Sequence, residues 1–359
     1  MNLQKIKDFI YKNIAYIALY NVAFAFFFYI IRYNGVKYET LRTISYLQFD
    51  FLDLSYFKIR LFKVRYMFDS GFFSGLSEVF NPVFYTIILI GAILYIRSKG
   101  EEKRLLEFGI AVTFIANLIV LLIALFGTIY ILYSLGDISA RVSLSEIVLL
   151  ALFQLVKVFL LVAVCYLFLK ESRKRREFEI LPEGTLDVVF LQDGKREIGH
   201  KRTSKAARCA NYAIDSALII LIFSPILMNG MFRSVSRSLE STFGENFGLY
   251  IVFLFFAVLY YILFEGLFRS TPGKYITSSA VTGFGKLRVT GLQIVGRSFG
   301  RKIPFNPFSF FGEIGWHDLF SETTVCSYKS DDKYKGTVAG VMVAAAVLII
   351  IVMLGNLTR

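Results

Sequence analysis

The sequence predicts an all-α polytopic membrane protein with about seven transmembrane helices, a small cytoplasmic β-hairpin and an amphipathic helix. Hydrophobic residues make up 56% of the 359 residues and charged residues only 19%, whereas soluble domains carry about 25% charged residues. The apolar residues also fall in long runs, and a helix needs about 20 such residues to cross the hydrocarbon core. Composition and clustering together favour a chain that crosses a bilayer several times.

Seven hydrophobic segments are predicted to be transmembrane spans. They lie near residues 9–31, 74–96, 108–134, 146–169, 211–232, 247–268 and 337–355. The first apolar run continues well beyond Ala23-Phe24-Ala25, which could otherwise be a signal-peptide cleavage site. This span is therefore predicted to be an uncleaved anchor.

Lysine and arginine residues predict the orientation of the spans. They are concentrated in the connections at 97–104 and 170–176 and in the long segment 269–336. Basic connections stay on the cytoplasmic side, so the N-terminus is predicted to be cytoplasmic and the C-terminus external, in a bacterial inner membrane. Segment 32–73 is basic and aromatic yet is placed outside. It is predicted either to lie on the membrane surface or to form a folded external loop.

The net charge of +13 does not require a nucleic-acid partner, because basic residues at the cytoplasmic ends of the spans account for it. The expected partners are the lipid bilayer and anionic lipid headgroups at the cytoplasmic face, and a second membrane protein or a second copy stays open. Cys165, Cys209 and Cys326, with His200 and His317, match no recurrent zinc spacing. No metal and no other cofactor is expected.

Two extended segments are predicted on the cytoplasmic side. Residues 187–190, followed by Asp193-Gly194, are typical of a strand and a tight turn. Residues 280–290 have similar character around a Gly-Phe-Gly sequence. We expect the two segments to pair in one small sheet.

An amphipathic helix is predicted after the second extended segment. Leu292, Val295, Phe299 and Ile303 recur at helical spacing, and Arg297 and Arg301 share another side. One interpretation is a helix on the cytoplasmic leaflet, with its arginines near lipid phosphates. A helix packed on the protein would show the same pattern.

Three separated blocks resemble the RDD family of bacterial membrane proteins, which is named for one arginine and two aspartates. The blocks are Ala206–Asp215, with Arg208 and Asp215; Phe264–Lys274, which resembles the helix end and Thr-x-Gly-Lys turn of the family; and Gly315–Val325, with Asp318. The resemblance covers Lys201 to Tyr328. It implies a membrane domain, and it raises the expectation of transport, because a transport role including sodium/proton antiport has been suggested for some members. Kinship of fold does not fix function.

The resemblance divides the chain into four predicted regions. They are an N-terminal membrane region of four spans at 1–178, a cytoplasmic linker with the hairpin at 179–200, an RDD domain at 201–330 and a C-terminal transmembrane helix at 331–359. Within the domain, Thr271-Pro272-Gly273-Lys274 lacks the glycine and hydroxyl positions of a phosphate-binding loop. We predict a turn there, with an unusual φ angle at Gly273.

Asp215 is the first candidate for a functional residue. A carboxylate inside an apolar span costs about 3 kcal/mol unless it is paired or hydrated. Arg208 precedes Asp215 by seven residues, about 10 Å along the helix. Glu265, near the cytoplasmic end of span six, is the expected partner of Arg208, because the two lie at a similar depth in the membrane. Lys157, in the middle of span four, could meet Asp215 in one buried polar site. The alternative, that Asp215 only ties two helices together, stays open.

His317 and Asp318 are further candidates. They follow Trp316 in a segment flanked by glycines, where His317 could relay protons and Asp318 could pair with one of the two arginines or brace the loop.

Two classes of function remain, because the sequence contains no recognisable catalytic set or nucleotide fingerprint and no enzyme activity is expected. The first class is an ion or small-solute transporter in which Asp215 binds the ion or titrates, with Arg208, Glu265 and Lys157 setting its pKa. The second is a non-catalytic membrane scaffold that binds partners through its cytoplasmic elements. Buried charges favour the first class, and the lack of internal repeats favours the second.

Overall fold

The structure is a computed structural model of the chain, and helices dominate it. It describes residues 3–33, 71–133, 144–181, 187–191, 194–198, 200–227, 238–242, 244–284, 287–302 and 315–357. Most of the predicted surface segment 32–73 lies outside these residues. Ile303, a residue of the predicted amphipathic helix, also lies outside them. The chain forms two compact units, Met1–Glu171 with Tyr334–Arg359, and Ser172–Lys333.

Long helices account for most of both units. They are α1 (Leu3–Tyr33), α2 (Gly71–Arg97), α3 (Arg104–Tyr133), α4 (Leu144–Lys174), α5 (Lys205–Leu227), α6 (Glu245–Phe268) and, at the end of the chain, α10 (Lys335–Leu357). Among the described residues, four segments are long and apolar enough to cross a membrane: Gln4–Phe27, Lys205–Phe223, Tyr250–Phe268 and Asp332–Ile351. A helix therefore lies at each predicted position, but the number of seven crossings stays a prediction.

The first unit is a bundle in which α1 and α3 both pack on α2, as does α10. Gly91 of α2 permits a close crossing, since a Cβ there would lie 2.7 Å from the Leu106 backbone nitrogen. Tyr95 donates a hydrogen bond to the Tyr11 carbonyl at 3.0 Å. The first contact joins the second helix to the third, and the hydrogen bond joins the second helix to the N-terminal one.

The second unit combines helices with two small antiparallel sheets. Strands β1 (Asp187–Leu191) and β2 (Gly194–Ile198) form the predicted hairpin, which is confirmed. Strand β3 (Ser279–Gly283) pairs instead with β4 (Thr323–Ser327). The prediction of one sheet joining the two extended segments is therefore wrong. Strand β3 is buried throughout, and β4 is buried over four of its five residues. Both are therefore interior strands that pair with each other.

Three short helices complete the second unit. They are α7 (Pro272–Ile276), α8 (Gly291–Gly300) and α9 (Trp316–Phe320). Helix α8 begins at a capping box, in which the Thr290 hydroxyl accepts from the Gln293 N–H and the Gln293 side chain accepts from the Thr290 N–H. The helix packs on α6 and α9, which brings its polar face towards the end of a candidate membrane span.

Candidate functional site

Asp215 lies on α5 with only 1% of its surface exposed. Its Oδ1 accepts hydrogen bonds from the Tyr260 hydroxyl at 3.0 Å and from the Gly273 backbone N–H at 2.9 Å, and its Oδ2 accepts from the Thr271 hydroxyl at 2.6 Å. Three donors stabilise a carboxylate in its ionised form where water is scarce. The predicted burial of Asp215 is confirmed, and its hydrogen-bond partners are neutral groups from α6 and α7.

Gly273 allows α7 to approach Asp215 closely. A Cβ at this position would lie 2.7 Å from the Asn211 carbonyl oxygen and 3.1 Å from Asp215 Oδ1. The predicted unusual φ angle of Gly273 is wrong, because the left-handed residue of this segment is Arg269, with a φ of 61° at the C-cap of α6. Glycine is needed here for space, and its missing side chain lets the N–H of residue 273 reach the carboxylate.

Glu265 is fully buried near the end of α6 and binds three cations. Its Oε1 accepts from Lys274 Nζ at 2.5 Å and from Arg301 Nη2 at 2.7 Å, and its Oε2 accepts from Arg297 Nε at 3.1 Å. Charge-assisted bonds of this kind are about twice as strong as neutral ones. The two arginines are thus buried against the protein, so the expectation that they lie near lipid phosphates is wrong. The alternative of a packed helix describes α8 correctly.

Arg297 extends the cluster from α8 to α9 and β4. Its Nη1 forms an ion pair with Asp318 Oδ1 and donates to the Thr323 hydroxyl at 2.8 Å. Asp318 therefore pairs with one of the two arginines, which is one of the two alternatives that the sequence left open. His317 Nε2 lies 3.7 Å from the same Asp318 oxygen, and both residues belong to a short helix rather than to a loop.

A cavity of about 30 Å³ lies between these side chains, which is room for about two water molecules. Helices α5, α8 and α9 supply most of its wall, and α7 adds Lys274. The lining residues are Arg208, Asn211, Tyr212, Asp215, Tyr261, Lys274, Arg297, Arg301, His317, Asp318 and Val325. Such a small and strongly charged cavity suits water or a small ion better than an apolar ligand.

Burial changes the proton affinity of several cavity residues. It lowers the pKa of Lys274 to about 8, and the Glu265 carboxylate only partly opposes this. Burial and then the neighbouring Arg297 hold the pKa of His317 well below its usual range, so the imidazole is neutral at pH 7. Lys274 thus titrates closer to neutral pH than an unperturbed lysine does.

Four of the six predicted site residues line this one cavity: Arg208, Asp215, His317 and Asp318. Glu265 adjoins it through its three cationic partners. Lys157 belongs to the other unit, and its meeting with Asp215 stays a prediction.

Three residues of the site, Tyr260, Thr271 and Lys274, were not predicted from the sequence. The last two stand in a motif that could be interpreted as a simple turn. A hydroxyl, a glycine and a lysine directly after the end of a predicted span were the pattern from which a site role could have been predicted.

The comparisons with known proteins bear on the same part of the chain. The model of the RDD family matches residues 203–357. This match begins just before α5 and continues through α10, so it includes every residue of the cavity. No curated protein and no solved structure matches the chain. The family match and the apolar helices indicate an integral membrane protein. This chain therefore contains an RDD family domain, which occupies residues 203–357.

Proposed function

We propose that the RDD domain transports ions or small solutes across the membrane, with Asp215 as the titrating or ion-binding group. The observation that carries the proposal is a buried carboxylate that lines a small cavity from within a candidate membrane span. An intramembrane carboxylate is costly to insert and marks an ion or proton pathway by default.

The cavity supports a role for Asp215 beyond that of a structural brace. A carboxylate that only ties helices together needs donors, and Asp215 has three. It does not need an adjoining space for about two waters. Water or an ion in that space could exchange with the carboxylate, and a transport site requires such exchange.

The cations around the cavity support a reversible rather than a permanent ionic interaction of the Asp215 carboxylate. Arg208, Lys274 and Arg301 line the same cavity, and Lys274 has a pKa of about 8. A proton gained or lost at either group changes the field at the other, because charges interact strongly where the dielectric is low. Asp215 and Lys274 would thus couple ion binding to protonation.

A scaffold role is the second candidate, and exposed apolar side chains favour it. On α8, Leu292 is 84% and Phe299 is 58% exposed, and on α9, Phe320 is 71% exposed. Apolar patches of this kind mark contacts with a partner protein or with lipid. In this reading the buried cluster serves only to hold α8 and α9 in place. We further propose a bacterial inner-membrane location with a cytoplasmic N-terminus, and no catalytic step.

Proton and ion flux in proteoliposomes tests the proposal. Purified wild-type protein should dissipate an imposed pH gradient when the transported ion is present, and Asp215→Asn should abolish this flux. The substitution keeps shape and removes the charge. Lys329→Gln is the matched control, since Lys329 is exposed and forms a surface ion pair with Glu177. Flux that is equal in wild type and Asp215→Asn, with both proteins folded and inserted, would refute the transport role of Asp215.

A further inference from the structure

Helices α8 and α9 bury their charged side chains and expose their apolar ones. The charged side chains within the two helices are Arg297 and Asp318, and both are buried. The large apolar side chains that the same helices expose are Leu292, Phe299, Trp316, Leu319 and Phe320. A helix at a water-facing surface has the opposite arrangement, with its apolar stripe on the protein core. The reversal indicates that a medium less polar than water covers these two helices.

The C-terminal part of α8 lies beside the candidate span of α6, before that span ends at Phe268. Helix α8 packs on α6, and Arg301 Nη2 donates to Glu265 Oε1 at 2.7 Å. The Arg301 guanidinium also lies 4.1 Å from the centre of the Tyr261 ring. Tyr261 precedes Phe268 by seven residues, about 10 Å along the helix axis. These contacts place the end of α8, with Phe299, within the depth of the span.

Helix α9 lies beside the candidate span of α5. Its His317 lines the same cavity as Tyr212 and Asp215. Tyr212 and Asp215 are seven and ten residues inside the span that begins at Lys205, which is about 10 and 15 Å along its axis. Helix α9 also packs on α8, where a Cβ at Gly300 would lie 3.1 Å from the His317 Cα. The two short helices thus form one element at the depth of two candidate spans.

We propose that α8 and α9 are embedded in the edge of the bilayer, with their exposed apolar side chains in contact with lipid acyl chains. Lipid is the occupant because it surrounds the spans at this depth. The buried ion pairs fit the same placement, since charged groups inside a membrane face the protein and pair with one another. Trp316 fits as well, because tryptophan is enriched at the membrane–water interface. The placement does not depend on whether Asp215 carries a flux.

Trp316 is the only tryptophan of the chain, so its fluorescence tests the placement in the unmodified full-length protein. The purified chain is reconstituted in phosphatidylcholine and phosphatidylglycerol vesicles whose acyl chains carry bromine either near the headgroup or near the methyl end. We expect bromine near the headgroup to quench most of the Trp316 fluorescence and bromine near the methyl end to quench less. Iodide in the aqueous phase should quench little.

Three double variants move the tryptophan to other sites and calibrate the signal. Trp316→Phe/Phe299→Trp reports from α8 and should be quenched by brominated lipid. Trp316→Phe/Leu259→Trp places the indole on the exposed side of α6 in the middle of its candidate span, where bromine near the methyl end should quench most. Trp316→Phe/Lys329→Trp places it beside Glu177 at an exposed polar surface, where iodide should quench and brominated lipid should not.

The wild-type signal decides even if a double variant does not fold. Quenching of wild-type Trp316 by iodide but not by brominated lipid would overturn the placement, because α9 would then face water. Protection of Trp316 from both quenchers would also overturn it, because a partner protein or a second copy of the chain would then cover this face.

Discussion

Replacing Glu265 with glutamine should destabilise the protein more than any single surface charge change. The carboxylate compensates three buried cations, at 2.5, 2.7 and 3.1 Å, and Glu265→Gln preserves shape while removing the negative charge that all three share. Removing one member of a buried pair costs about 3–5 kcal/mol, chiefly because the remaining charge is desolvated and unpaired. We expect a loss in this range, and not three times as large, since Arg297 keeps its ion pair with Asp318.

Denaturant titration of the purified protein in mixed micelles measures this loss. Glu177→Gln is the matched control, because Glu177 and Lys329 form an exposed pair with 73% and 68% of their side chains accessible, and exposed pairs contribute little. The double variant Glu265→Gln/Arg301→Gln should recover part of the loss, since one unpaired cation is removed with its partner. A loss for Glu265→Gln no larger than that for Glu177→Gln would refute the central role of this carboxylate.

Three other predictions concern the same unit. Gly273→Ala should lower the stability by about 1–3 kcal/mol, because its Cβ would press against a backbone carbonyl. Gly266→Ala is the control and should be neutral or slightly stabilising, because there is open space around Gly266. Equal melting temperatures of the two variants would contradict the close approach at Gly273. Arg176→Lys should lower the stability by about 1–2 kcal/mol, because the guanidinium lies over two tyrosine rings. The same change at the exposed Arg175 should have no such effect, and equal denaturation midpoints of the two variants would contradict this contribution of Arg176. The buried Lys274 has a pKa of about 8 against 10.5 for an unperturbed lysine, so its folded form binds fewer protons than its unfolded form between these values. Stability should therefore rise with pH across this window in wild type, and less so in Lys274→Met; parallel pH profiles would exclude this titration.

The long helices and the hairpin were predictable because their signals are local. Apolar runs predict helices at residues 205–227 and 245–268 whatever lies beside them. The Asp193-Gly194 sequence predicts a tight turn between neighbouring strands. Burial of Asp215 also follows from local chemistry, since a carboxylate within an apolar span is unlikely to face lipid.

The pairing of β3 with β4 and the partners of Glu265 were not predictable, because both depend on segments distant in the chain. Strand β4 begins 40 residues after the end of β3, so no turn signal joins them. The pattern of α8 shows that Arg297 and Arg301 share a side but not whether that side faces lipid phosphates or a buried carboxylate. Burial of an arginine becomes favourable only once Glu265 is brought within hydrogen-bond distance.

Dissipation of a pH gradient in proteoliposomes tests the central claim most directly. Proteoliposomes that contain the purified chain, with an acidic inside and a neutral outside in a buffer of sodium, potassium and chloride ions, should lose the gradient faster than empty liposomes. Asp215→Asn, folded and inserted, should lose the gradient no faster than empty liposomes. If wild-type protein and empty liposomes lose the gradient at equal rates, or if Asp215→Asn behaves like wild type, then Asp215 does not carry a proton-coupled flux.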